Sequence, residues 1–405
     1  MTGTNIAGGW VRSWGASPQA AHDGLGSLDD HPPLADVTLR QVVRLSGGGR
    51  RVRIRFTNEF GTAPVTIGAA RVGLATPGGG VRPGSERVLT FSGASVVTVP
   101  AGAPILSDPV DLPLPALARL SISLYLPGRV ATCTCHDPAL DTGWTIPGDA
   151  VAAADLPGTA EVLPVRALIA AVELLPDAPA PAIVVLGDSR TDGAGSTPDT
   201  NHSWPELLAE RLAGRGAAAG YVTNQGLSGN RLLNDGIGAA ALARFDRDVL
   251  ATPGLGYVVL SVGANDIAIS FAPRDDDSPL TDFLKMFPGA PVTADQVIAG
   301  YRQLTARARE RGVRVYATTI APYGGTETYT PEGEGARQAV NEWIRTDGAF
   351  DAVLDFDAVW RDPDRPSRIR EDFHAGDHLH GNDAGYQALA DSIDLSLFTT
   401  AEGDL

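Results

Sequence analysis

The sequence predicts an α/β fold of three layers, α/β/α, built on a parallel sheet and preceded by an all-β sandwich of jelly-roll type. Three observations carry that expectation. Short alternating strands fill residues 35–175, a proline-rich hexapeptide follows, and beyond it strands alternate with helical segments. The expected units are residues 1–175 and 182–405, joined by a linker at 176–181.

In the first unit, Arg51-Val52-Arg53-Ile54-Arg55-Phe56 places Val52, Ile54 and Phe56 on one face and three arginines on the other. Leu120, Ile122, Leu124 and Leu126 alternate in the same way with Arg119, Ser121, Ser123 and Tyr125. Residues 65–75, 96–99 and 165–175 supply further strands, and the segment before residue 35, with Trp10 and Trp14, adds an edge strand. The linker reads Pro176-Asp177-Ala178-Pro179-Ala180-Pro181, and proline removes amide donors and disfavours both helix and central strand. After it the period changes. Strands are expected at 183–186, 221–224, 257–262, 313–319 and 352–356. Between them, Ser203-Trp204-Pro205-Glu206 and Thr293-Ala294-Asp295-Gln296 read as capping boxes, and Thr330-Pro331 sets proline at a first helical position.

Composition narrows the function classes. The formal net charge of −16 argues against a nucleic-acid partner, because phosphate binding needs a basic face, and against attraction to an anionic membrane. No apolar run reaches membrane-spanning length, so no membrane insertion is expected. Residues 1–10 show no basic start followed by an apolar core, which implies a cytoplasmic protein, or a secreted one if the N-terminus was trimmed. Cys133 and Cys135, two positions apart on an extended segment, cannot form a strain-free disulfide, and they are expected to be buried free thiols.

The chemistry concentrates at strand ends. Ile183 begins the run I-V-V-L-G-D-S-R-T-D-G, in which an apolar strand ends at Gly187-Asp188-Ser189, where a serine can stand at the start of a helix. A serine hydroxyl is a poor nucleophile until a base takes its proton, and the base must be one of seven histidines. His374, His378 and His380 cluster near the C-terminus. Asp377 and His380 are three residues apart, so one turn can bring the carboxylate to Nδ1 and leave Nε2 free to face Ser189. Attack of an activated serine on an acyl carbon also needs donors for a tetrahedral oxyanion. The candidates are the backbone N–H groups of Ser189 and Gly229 and the side-chain amide of Asn265. Asp188 and Asp266 read as turn and cap formers.

Taken together, Gly187-Asp188-Ser189, Asn224-Gln225-Gly226-Leu227-Ser228-Gly229-Asn230, Gly263-Ala264-Asn265-Asp266 and Asp377-His378-Leu379-His380 resemble the four sequence blocks of the SGNH hydrolases, the GDSL esterase/lipase family. The resemblance covers roughly residues 182–395. The sandwich more loosely resembles the N-terminal module of two-domain esterases of that superfamily, over residues 39–60 and 63–72. It implies an SGNH-type fold and a serine esterase needing no cofactor. It also implies a Ser189, Asp377, His380 triad, an oxyanion hole at Ser189, Gly229 and Asn265, and short-acyl substrates such as acetyl, aryl or sugar esters. Three positions depart from the family pattern. Arg190 follows the nucleophile where an apolar residue is usual, and Gly381 stands where proline is common. Residues 267–292 form a long loop carrying Phe271, Phe283, Met286 and Phe287, of which Phe271 is a candidate substrate neighbour.

Arg190 has two readings: an ion pair with Asp192 or Asp266, or recognition of an anionic group on the substrate. Two other functions also stand beside the esterase. One is a carbohydrate-binding protein with a vestigial hydrolase unit. The other is a metal-dependent hydrolase using the C-terminal histidines, against which the missing H-E-x-x-H pattern argues, so that no metal ligands are assigned.

Overall fold

The computed structural model describes residues 9–216, 220–274 and 278–398. Residues 1–8 and 399–405, the outer ends of the two expected units, and 275–277 lie outside the described residues, and with 1–8 goes most of the stretch read for a leader.

The first unit consists of antiparallel sheets. One runs in the order Val11–Gly15, Ile169–Leu175, Gly49–Asn58, Val110–Leu114, and Ala103–Leu106 also pairs with Gly49–Asn58. The other runs Glu161–Leu163, Gly143–Pro147, Val37–Arg44, Arg119–Leu126, Ala69–Leu74, Arg87–Val88. Val52, Ile54 and Phe56 of the first and Leu120, Ile122, Leu124 and Leu126 of the second join one buried core, on the faces their alternation assigns. The outer face of the second sheet differs from expectation. Ser121 and Ser123 are buried as well, and Arg40 donates to Ser123 Oγ and to the carbonyls of Ala150 and Ala153, so that the chain there covers the sheet. Trp14 lies on the edge strand Val11–Gly15. Cys133 and Cys135 are free and buried; contact with the Cys133 side chain, together with burial, holds the Cys135 thiol above its ordinary range.

The second unit holds a five-stranded sheet in the order Tyr221–Gly226, Ala182–Gly187, Leu255–Ser261, Arg314–Thr318, Ala352–Leu354, every pairing parallel. Its first strand by sequence, Ala182–Gly187, is buried along its whole length, as a strand covered on both faces must be. Trp204, Leu208, Trp360 and Tyr386 pack one face of the sheet, and Phe245, Val297, Tyr301 and Leu304 pack the other. These are the three layers. Counted by sequence the strand order is second, first, third, fourth, fifth, which puts the topological switch beside the carboxyl end of Ala182–Gly187.

Local signals fared unevenly. Thr293 and Gln296 form both halves of a capping box, and Thr330 accepts from the Gly333 amide ahead of Pro331. Ser203 makes no capping bond; the Glu206 side chain turns to Asn201 Nδ2 and Ser203 Oγ, so the expected box is absent. The expected loop at 267–292 contains helix: Ala264–Ser270 extends into it and Pro279–Leu284 lies within it. Leu284 and Phe287 close a small apolar cluster with Ile237, Ile269 and Ala272, which explains the helices.

The two units share a core. Ala180, Ala182 and Tyr221 belong to the sandwich's apolar cluster, and Thr223 Oγ1 donates to the Arg12 carbonyl at 3.2 Å. The edge strand Tyr221–Gly226 is thereby covered by Val11–Gly15. Among the described residues no helix is long and apolar enough to cross a membrane.

Candidate active site

Asp188 follows the first parallel strand and caps the four-residue helix Ser189–Asp192, its carboxylate accepting from the Arg190 amide at 3.0 Å. Burial raises the Asp188 carboxyl pKa above its ordinary value, with Arg190 opposing. Asp188 is therefore a cap, as its position suggested. The helix lies so close to the next strand that a Cβ on Gly226 would sit 2.3 Å from the Asp192 nitrogen; only glycine allows that approach.

Ser189 Oγ lies 2.9 Å from His380 Nε2, and His380 Nδ1 lies 2.6 Å from Asp377 Oδ2. The other Asp377 oxygen accepts the amides of Leu379 and His380, each at 2.9 Å. Burial works against the Asp377 charge, but the His380 ring and these two amides outweigh it and hold the carboxyl well below its ordinary range. The neighbouring histidines do other work. His374 Nδ1 accepts from the amides of Gly376 and His378, and the rings of His374 and His378 pack tilted at 48° with centroids 4.4 Å apart. Ligand atoms of Glu371, His374 and His378 lie within 4.8 Å of one another. Yet a His374 whose Nδ1 accepts carries its proton on Nε2, toward Glu371 at 3.7 Å, where a metal would need a lone pair.

The three candidate oxyanion donors are tied together. Gly229 sits at φ +76, which glycine adopts without strain, and Asn265 Nδ2 donates to the carbonyl of the adjoining Asn230 at 2.9 Å. Asp266, next to Asn265, accepts from the amides of Leu232 and Leu233. It thus ties its own block to the chain just beyond the Asn224–Asn230 block, and burial raises its pKa to about 6. Ser228 Oγ donates to Asp192 Oδ2 at 2.8 Å, which joins the Gly229 turn to the helix Ser189–Asp192.

Arg190 pairs with neither Asp192 nor Asp266. Its buried guanidinium donates to the carbonyls of Leu379, Ala321 and Pro322 at 3.0, 3.0 and 2.9 Å. That corrects both earlier readings: the fork is turned inward, onto the loop that carries Asp377 and His380, and it offers no anion-binding face. Arg190→Leu is therefore expected to lower kcat equally for neutral and anionic esters and to lower the melting temperature. Each orphaned carbonyl costs about 1–3 kcal/mol. A loss confined to anionic esters in steady-state kinetics would contradict this. Phe271 packs partly buried against the sheet core, and its carbonyl accepts from Thr330.

Two features had no signal in the sequence. Arg244 is fully buried and donates to the carbonyls of Gly187 and Gln225, to Asn230 Oδ1 and to Asp248. His136, on the sandwich strand Thr134–His136, lies 3.0 Å from Asp192 across the boundary between the units. Both partnerships join residues remote in sequence or sit in a helix of ordinary composition, and no period or motif marks them.

Residues 185–388 match the sequence profile of the GDSL-like Lipase/Acylhydrolase family, half of the chain. No protein with a curated description matches. Among solved structures, the chain is similar to a GDSL-like lipase from Bacteroides thetaiotaomicron at 15% identity, covering 53% of this chain and 87% of that one with a TM-score of 0.38. It is similar to an acetyl xylan esterase at 22% identity, covering 52% and 96%, TM-score 0.37. A psychrotrophic esterase from Pseudoalteromonas sp. matches at 17% identity, covering 52% and 93%, TM-score 0.35.

Proposed function

The chain belongs to the GDSL-like lipase/acylhydrolase family and is a carboxylic ester hydrolase, and from that premise we propose that it works as a serine esterase through an acyl-enzyme. The observation that carries the proposal is the continuous chain of hydrogen bonds from Asp377 through His380 to Ser189. His380 Nε2 takes the Ser189 proton as Oγ attacks the ester carbonyl carbon. Asp377 holds the proton on Nδ1 and stabilises the imidazolium that forms. The carbonyl oxygen becomes an oxyanion, met by the amides of Ser189 and Gly229 and the side chain of Asn265. His380 then returns its proton to the leaving alkoxide. Water, deprotonated by the same ring, attacks the acyl carbon; the bond to Ser189 Oγ breaks, His380 returns the proton to Oγ, and the carboxylic acid leaves.

The substrate is proposed to be a small-molecule or carbohydrate ester with a short acyl group; the resemblance of the four blocks supports that choice. A fluorophosphonate probe should modify Ser189, with chelators making no difference. In a series of aryl esters of increasing acyl length, turnover should be highest at the short end. An unlabelled Ser189 would remove the mechanism, and a maximum at long chains would remove the substrate assignment alone.

A further inference from the structure

A buried histidine of the sandwich reaches the helix that carries Ser189. His136 is buried, and both of its ring nitrogens face acceptors: Nδ1 lies 3.1 Å from the Ser17 carbonyl and Nε2 lies 3.0 Å from Asp192 Oδ1. A neutral imidazole has one N–H and can satisfy only one of them. The geometry therefore asks for an imidazolium. Burial by itself would lower the ring's pKa, but the Asp192 carboxylate and the Ser17 carbonyl prevail and raise it above the ordinary histidine value. Asp192 is the last residue of the nucleophile helix, and its second oxygen accepts from Ser228, the residue before Gly229.

We propose that His136, supplied by the sandwich, is a positioning residue for hydrolysis: as an imidazolium it anchors Asp192, and through Asp192 it holds the Ser228-Gly229 turn against the nucleophile helix. The proposal rests on the serine-esterase reading above and deepens it, because it makes the sandwich part of the oxyanion-stabilising apparatus.

The sign of the pH effect follows. A folded-state pKa raised above the unfolded one gives a contribution complete below about 6.5, the free histidine value. That contribution is lost as pH climbs through the raised value. Above it, one ring nitrogen turns a lone pair toward an acceptor, Asp192 loses its cation, and the Gly229 turn loosens. Since the oxyanion exists only in the transition state, the loss belongs in kcat and not in KM.

Other charges face this ring. Arg166 is its register partner on the neighbouring strand, Arg244 lies behind Asp192, and Arg44, Asp141 and Glu206 line the cavity between the units. Glu206 needs separate treatment, because burial and Asp141 raise its pKa to about 7.

The test is the pH dependence of kcat and KM for the full chain and four variants, with active serine counted by fluorophosphonate. The unmodified chain should show kcat falling on the alkaline side with KM steady. His136→Gln keeps an N–H for Asp192 and cannot titrate, so its kcat should be lower at neutral pH and flat through the alkaline range. His136→Leu should lose on the order of ten- to a hundredfold in kcat, the scale of a small misplacement of catalytic groups. Ser228→Ala should lose kcat to a similar degree while melting like the unmodified chain, and it serves where His136→Leu does not fold. Glu206→Gln should retain the alkaline fall. The proposal is overturned if His136→Gln keeps the fall, if Glu206→Gln abolishes it, or if the His136 and Ser228 variants lower only the melting temperature. Failure of the probe to label Ser189 in the unmodified chain would instead bring down the esterase reading, and this proposal with it.

Discussion

Ser189→Ala is expected to cut ester turnover by on the order of a millionfold, the scale at which triad hydrolases lose kcat when the nucleophile is removed. Nothing structural should follow, because among the described residues the Ser189 hydroxyl has a single side-chain hydrogen-bond partner, His380 Nε2. The melting temperature should be unchanged. A Ser189→Ala, His380→Ala double variant should be no slower than either single one, since the two groups act as a unit. Asp377→Asn should cost about 10⁴-fold in kcat by a distinct route. Its Oδ1 can still accept the Leu379 and His380 amides, but an –NH2 in place of Oδ2 would face His380 Nδ1. That forces the ring into the tautomer whose Nε2–H points at Ser189, so no base remains to take the serine proton. Substantial turnover by a folded Ser189→Ala protein would end the nucleophile assignment.

Much of this site was legible because its residues sit at strand ends, where an abrupt change from apolar run to glycine and polar residues is visible in one dimension. Gly187-Asp188-Ser189 and Gly263-Ala264-Asn265-Asp266 each follow a buried parallel strand, and the structure places them at the carboxyl edge of the sheet. The strict alternation of 51–56 likewise fixes which side chains face the sandwich core. What failed depends on contacts between segments. The Ser203 box was a correct local pattern overridden when Asn201 claimed Glu206. In sequence Arg190 reads as an ion-pair partner or an anion binder because its acceptors are backbone carbonyls of residues 321, 322 and 379, which no spacing rule connects to it. His136 gave no local signal because its partner is Asp192, fifty-six positions on. Backbone acceptors and partners across the interface leave no periodic trace in sequence, so these were open only to the folded chain.

The largest stability effect outside the apolar cores is expected at Arg244. Its side chain is wholly inaccessible, and its guanidinium joins the end of the nucleophile strand at Gly187 to the end of the neighbouring strand at Gln225 and to Asn230 beside Gly229. It also reaches Ser17 of the sandwich and pairs with Asp248, which in turn accepts from Ser17 at 2.6 Å. Arg244→Met fills the space but strands these acceptors; breaking a buried ion pair from one side costs about 3–5 kcal/mol, and because Arg247 still pairs with Asp248 the loss should fall toward the lower end of that range. The urea midpoint should fall accordingly, and kcat should fall with it, because the Gly187 and Asn230 ends of the site lose their shared tether. Arg244→Lys separates the two effects. Lysine restores the charge beside Asp248 but, as a point donor, cannot span acceptors on two strands and a turn, so stability should recover further than kcat. Burial opposes the Asp248 charge, yet Arg247 and Arg244 bring its pKa down to about 2. A pKa below the unfolded value means that the ion pair stabilises fully above about pH 4 and fades as pH falls toward the folded value. The gap in stability between the unmodified chain and Arg244→Met should therefore be widest at neutral pH and narrow in acid. A gap independent of pH in urea titrations would show that Arg244 acts through its carbonyl contacts alone.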